Sequence, residues 1–100
     1  MGKYLKTKVM ILNSELDRAN EKLKKFESLD LILTELKRAK IKHPNYPSDL
    51  FKQVAIMQEE SGEVVKAVLD YSFHKCTKED IIKELAQTAA MCIRMMDSLK

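Results

Sequence analysis

The stretch DLFKQVAIMQEESGEVVKAVLDY, residues 49–71, decides how this chain folds. Leu50, Val54, Met57, Ser61, Val64 and Val68 recur at alternating steps of four and three, the period of one helix face. No proline interrupts the run, and Ser48 followed by Asp49 supplies an N-terminal cap. The apolar arc is wider than that stripe, because Ile56 and Ala67 extend it on one side. Glu60 falls inside the extension, Glu63 lies at its edge, and Glu59 stands one turn before Glu63. An unpaired carboxylate in such a place costs on the order of several kcal/mol, so something must offset it.

The same arrangement recurs downstream. Residues 78–99 predict another helix, opened by Thr77 with Asp80 three residues on, a capping box with Asp in place of Glu. Ile81, Leu85, Ala89, Cys92, Met96 and Leu99 are expected inward. Glu84 falls in angle between Met91 and Met95, again inside the apolar arc, with Asp80 and Gln87 one turn to either side. Met91, Met95 and Met96 continue that arc and are read as core filling. Lys66 and Lys83 project to the polar sides of their helices and do not neutralise the acids. A hard divalent cation with oxygen ligands is the economical counter-charge, and Mg²⁺ favours a few carboxylates together with substrate phosphates. Gly62 in mid-helix costs about 1 kcal/mol against alanine, which points to a close approach by the facing helix.

Upstream, the spacing predicts two more helices. Over 3–27, Leu5, Val9, Leu12, Leu16, Ala19, Leu23 and Phe26 form a heptad seam, the mark of a coiled coil that wants a partner helix. Asp30 falls where the next seam residue belongs, and Ser28 is expected to cap a new helix over 29–41. Leu29, Ile32, Leu33, Leu36 and Ala39 form its apolar face. The prolines of His43-Pro44-Asn45-Tyr46-Pro47 then end helical structure. The expectation is an all-α chain: a four-helix bundle with a long N-terminal heptad helix (1–27), a helical domain (28–100), and a core completed by oligomerisation.

Composition narrows the function classes. No apolar run reaches the roughly 18 residues of a membrane span, and the first residues lack a signal-peptide apolar core. Cys76 and Cys92 have no metal-site spacing and make no disulfide framework, which suits a reducing cytoplasm. The net charge of +3 conceals 11 basic against 6 acidic residues over 1–43, and 7 against 9 over 44–100. The basic half mixes signs and lacks interleaved aromatics, which argues for a solvated surface and against nucleic acid as partner. A basic coiled-coil adaptor, recognisable by salt-sensitive DNA or RNA binding, is accordingly the weakest reading.

The run Glu59-Glu60-Ser61-Gly62-Glu63-Val64, followed by Glu84-Leu85-Ala86-Gln87, resembles the MazG-like all-α nucleoside triphosphate pyrophosphatase superfamily, in its compact phage and bacterial form. That family pattern is Glu-x-x-Glu on one helix and Glu-x-x-Asp on the next. The likeness covers about seventy residues, from 28 to 99, with the His43-Pro44 turn and the Thr88-Ala89-Ala90-Met91 run. It implies Mg²⁺-dependent (or Mn²⁺-dependent) cleavage of a ribo- or deoxyribonucleoside triphosphate to monophosphate and pyrophosphate. It also implies Glu60, Glu63 and Glu84 as catalytic metal ligands, Glu59 as a further ligand or supporting group, and a homodimer or homotetramer. Gln87 stands where the family has Asp, so it offers one neutral oxygen in place of a charge. Asp80, one turn before Glu84, is a candidate substitute. The alternative is a catalytically inactive MazG-like oligomer that acts as a binding or regulatory protein. His43, Asn45, Tyr46 and Phe51 lie near the turn into the metal helix, within range of a base or ribose, but none is assigned to substrate.

Overall fold

The computed structural model describes residues 2–100. These form three α-helices, α1 (Gly2–Lys42), α2 (Leu50–Ser72) and α3 (Lys78–Ser98), with no strand among the described residues. The chain is all-α as expected, with one helix fewer. The restart expected at Ser28 is absent, and α1 runs unbroken across the boundary drawn between 27 and 28. The physical reason is that neither residue there breaks a helix. The Ser28 hydroxyl donates to the Lys24 carbonyl at 3.0 Å, and the Thr34 hydroxyl donates to the Asp30 carbonyl at 2.8 Å. Polar side chains are thereby satisfied within the helix instead of capping a new one. The helix ends where proline forces it to: the His43 N–H still reaches the Ala39 carbonyl at 2.8 Å, and Pro44 follows.

Both remaining helix starts are capped by side chains. Asp49 rather than Ser48 caps α2, accepting from the amides of Phe51 at 2.8 Å and Lys52 at 3.2 Å. The turn after α2 places His74 at φ 58, a left-handed residue, while the Lys75 amide closes on the Asp70 carbonyl at 2.7 Å. The Thr77–Asp80 capping box is present. Its hydrogen bonds from the Thr77 amide and hydroxyl hold the Asp80 carboxyl below the ordinary carboxylate range. The Asp80 carboxylate, a candidate substitute for Gln87, is thus engaged in the helix cap.

α3 packs against both other helices, whereas α1 and α2 make no close backbone approach to each other. The core is small: Leu36, Ala90 and Met91, joined by Ala39, Ile56, Met57 and Ile93. Ala86 and Ala90 are buried and small, which lets helix axes come together on this side of α3. Gln53, 2% exposed, ties three segments. Its amide donates to the Pro47 carbonyl at 2.8 Å, and its oxygen accepts from the Ser98 hydroxyl at 3.0 Å.

The stripes expected inward are buried only in part. Leu50, Val54 and Val68 on α2 and Leu85, Met96 and Leu99 on α3 remain 40–63% exposed. Ala67 and Met91 are buried as expected from the apolar arcs, and Gln53, Ala86, Ala90 and Arg94 are buried with them. Polar residues can occupy an interior face when it supplies their hydrogen bonds, a condition that hydrophobic periodicity does not register. The radius of gyration of 19.6 Å, against about 13 Å for a compact chain of this length, reflects the projecting N-terminal part of α1.

Gly62 does not mark a close approach, since a Cβ placed there meets nothing within 4 Å. Gly62→Ala is therefore expected to raise stability by about 0.5–1 kcal/mol, read as a higher urea midpoint with an unchanged slope.

Candidate functional site

Three elements meet around Glu60. Glu60 and Glu59 come from the middle of α2, Glu84 and Gln87 from α3, and Glu35, Arg38 and Lys42 from the last turns of α1. Glu60 is half-buried, and its carboxyl is pushed above the ordinary value. Burial is the largest cause, followed by the negative charges of Glu84, Glu59 and Glu63, while Lys42 acts in the opposite sense. The negative charge of Glu84 on α3 thus acts on Glu60 of α2. Glu59 and Glu63 contribute charge from exposed positions.

Glu60 forms a wall between two depressions. One, of about 170 Å³, is lined by Glu35, Arg38, Ala39, Lys42, His43, Glu60, Gln87 and Met91. It mixes carboxylates, cations and an amide, the composition that suits phosphate held with a cation. The other, of about 370 Å³, is lined by Ala39, His43, Asn45, Tyr46, Pro47, Ile56, Glu59, Glu60, Met91 and Arg94. It is broader, and it sets the Tyr46 ring, Ile56 and Met91 beside the polar groups of His43, Asn45, Glu59, Glu60 and Arg94.

The residue that sequence reasoning missed is Glu35, which is 5% exposed. One of its oxygens pairs with Arg38 at 3.3 Å, and the other accepts from the Gln87 amide at 3.4 Å. The signal was present but unused: Glu35, Arg38 and Lys42 follow helical spacing beside Leu36 and Ala39. This contact gives Gln87 a reason. An aspartate there would set a second negative charge against buried Glu35, whereas an amide donates to it. Gln87→Asp is expected to cost about 1–3 kcal/mol in metal-free buffer, with part of the loss recovered when millimolar Mg²⁺ is added. Equilibrium urea denaturation with and without Mg²⁺ checks both halves of that expectation.

Arg94 was likewise not singled out from sequence. It is buried, and it donates to the His43 carbonyl at 2.6 Å and to the Ala39 carbonyl at 3.5 Å. Its guanidinium carbon lies 4.5 Å from the centre of the Tyr46 ring. A fixed positive group therefore caps the C-terminal, negative end of α1 and holds the Asn45–Pro47 loop beside Glu60. The Tyr46 hydroxyl is buried without a partner, and burial pushes its pKa up. His43 and Asn45 line the larger depression, whereas Phe51 is 88% exposed and does not.

No family model, curated protein or solved structure matches the chain. Its chemistry is therefore read from the site itself. Among the described residues, no three carboxylate, His or Cys side chains stand close enough together to form a ready metal cage. The oxygen donors of Glu60, Glu84, Glu59 and Glu63 nevertheless suit a hard cation, which would offset the burial and the neighbouring negative charge that together raise the Glu60 carboxyl. No described helix is long and apolar enough to cross a membrane.

Proposed function

We propose that this protein is a cytoplasmic Mg²⁺-dependent hydrolase of ribo- or deoxyribonucleoside triphosphates, with Mn²⁺ as a substitute, releasing the monophosphate and pyrophosphate. The observation that carries this reading is the Glu60 carboxylate, which feels the charges of Glu84, Glu59 and Glu63 and lines two depressions, one with Arg38 and Lys42 and the other with Asn45 and Tyr46. Glu60, Glu63 and Glu84 are the proposed ligands, with Glu59 beside them and Gln87 orienting Glu35. A divalent ion held there would neutralise phosphate charge and lower the pKa of attacking water. Arg38 and Lys42 would draw the polyphosphate to the charged depression. The larger depression, with Asn45, the Tyr46 ring and Met91, would receive the base. The exposed apolar residues of α2 and α3 support completion of the core by further copies of the chain.

The second reading is a catalytically inactive helical oligomer that binds without turnover. The Gln87–Glu35 hydrogen bond favours it, since it engages the residue that replaces the motif Asp. Pyrophosphate release from a panel of ribo- and deoxyribonucleoside triphosphates, with Mg²⁺, Mn²⁺ or chelator, separates the two. Release that needs metal and prefers certain bases supports the hydrolase. Folded protein that releases none from any substrate supports the binding protein.

A further inference from the structure

Every side chain from residue 2 to residue 30 is exposed in the single chain, although this part of α1 carries the regular heptad seam. Leu5, Val9, Leu12, Leu16, Leu23 and Phe26 are 53–67% exposed. A seam of this kind is stable only against another helix. α2 and α3 pack near the other end of α1, against Glu35, Leu36 and Ala39, and leave it uncovered. We propose that its occupant is the same segment of a second copy, running antiparallel, with the twofold axis between residues 17 and 18.

Shape and charge both select this register. With Leu5 and Leu12 at d positions and Val9 and Leu16 at a positions, antiparallel pairing sets Val9 against Phe26, Leu12 against Leu23 and Leu16 against Ala19. Each of these three layers joins a larger with a smaller side chain, or leucine with leucine, which is how facing positions fill space evenly, and the outermost layer sets Leu5 against Asp30 at the end of the seam. The flanking positions agree. Lys6 meets Glu27, Glu15 meets Lys22 and Asn13 meets Asn20, each pair occurring twice by symmetry. Asp30, the apparent fault in the seam, comes over the first turn of the partner helix, where the positive end of the helix dipole and Lys6 receive it.

The competing pairings are worse. A parallel dimer stacks Ala19 on Ala19 and Phe26 on Phe26, leaving a gap and a crowded layer, and gains only the Lys22–Glu27 pair. An antiparallel shift of one heptad sets Lys8 against Lys22 and Glu15 against Glu15. The opposite shift sets Lys22 against Lys22 and buries Asp30 beside Leu12 in mid-seam. In the favoured register the two Glu35 residues lie roughly 50 Å apart along the rod, at 1.5 Å per residue. Each carboxylate pocket therefore stands clear of this interface, and the inference does not depend on what that pocket does.

Charge-swap variants of the full chain, followed by sedimentation equilibrium, test it. The wild type is expected to dimerise, and both Glu15→Lys and Lys22→Glu to raise the dimer Kd roughly tenfold by turning two attractive pairs repulsive. The double variant E15K/K22E is expected to return to within about twofold of wild type, because the swapped charges pair again. Both positions are exposed, and unchanged circular dichroism at high concentration checks that the helices persist. A parallel coil predicts no effect of Glu15→Lys and no rescue in the double variant, which would overturn the proposal. A monomeric wild type at tens of micromolar, or association that ignores both swaps, would overturn it equally.

Discussion

Glu60→Gln is expected to reduce metal-dependent pyrophosphate release by at least about 100-fold while making the metal-free protein more stable near neutral pH. The activity loss follows because removing even a supporting partner of a metal ligand costs about 10–100-fold, and a ligand itself costs more. The stability gain follows from the charge environment. The Glu60 carboxyl is raised above 4.5 by burial and by Glu84, Glu59 and Glu63. Between its ordinary value and the raised one, the folded chain keeps a proton that the unfolded chain has released. Its contribution to stability therefore falls as pH rises through that window, and is regained as pH drops back. The amide is neutral throughout, so the variant should lead the wild type in melting temperature at pH 7, and the lead should shrink as the solution is acidified through the window. Mg²⁺ should raise the wild-type melting temperature and leave the variant almost unmoved. A variant that is less stable than wild type at pH 7 would show that Glu60 is held by a favourable contact instead of repelled by its neighbours.

Arg94→Leu is expected to destabilise the fold by about 2–4 kcal/mol, a large share of what a domain of this size possesses. The arginine has no carboxylate within ion-pair distance among the described residues; its partners are the α1 carbonyls of Ala39 and His43 and the face of Tyr46. Leucine keeps the apolar contact but leaves the carbonyl at His43 without its donor and the end of α1 without its positive cap. Arg94→Lys should recover only part of the loss, because one ammonium cannot reproduce a planar fork lying over a ring. Urea denaturation of the three proteins, compared by midpoint at fixed slope, reads this directly. Equal midpoints for wild type and Arg94→Leu would mean that the loop and the α1 terminus are held by packing alone.

The helices were legible wherever the signal is local. Pro44 ended α1, and Asp49 and Thr77 opened α2 and α3. The break expected at Ser28 failed because a serine hydroxyl serves equally well as a cap or as a donor to the preceding turn, and the local sequence does not choose between them. The choice belongs to the surroundings of the chain, and here nothing competes with the continuing helix.

Sequence by itself determined the helical character, the capping box of α3, the heptad seam of α1 and the carboxylate positions on α2 and α3, since each depends on spacing within one segment. Only the tertiary structure decided which faces are buried and what completes the site. The approach of α1 to α3 brings Glu35 to Gln87 and the His43 carbonyl to Arg94, across sequence separations of 52 and 51 residues. The hydrogen bonds that make burial of Glu35, Gln53 and Arg94 tolerable likewise come largely from distant segments. A polar residue goes inside when its partner is there to meet it, and that partner is supplied by the fold.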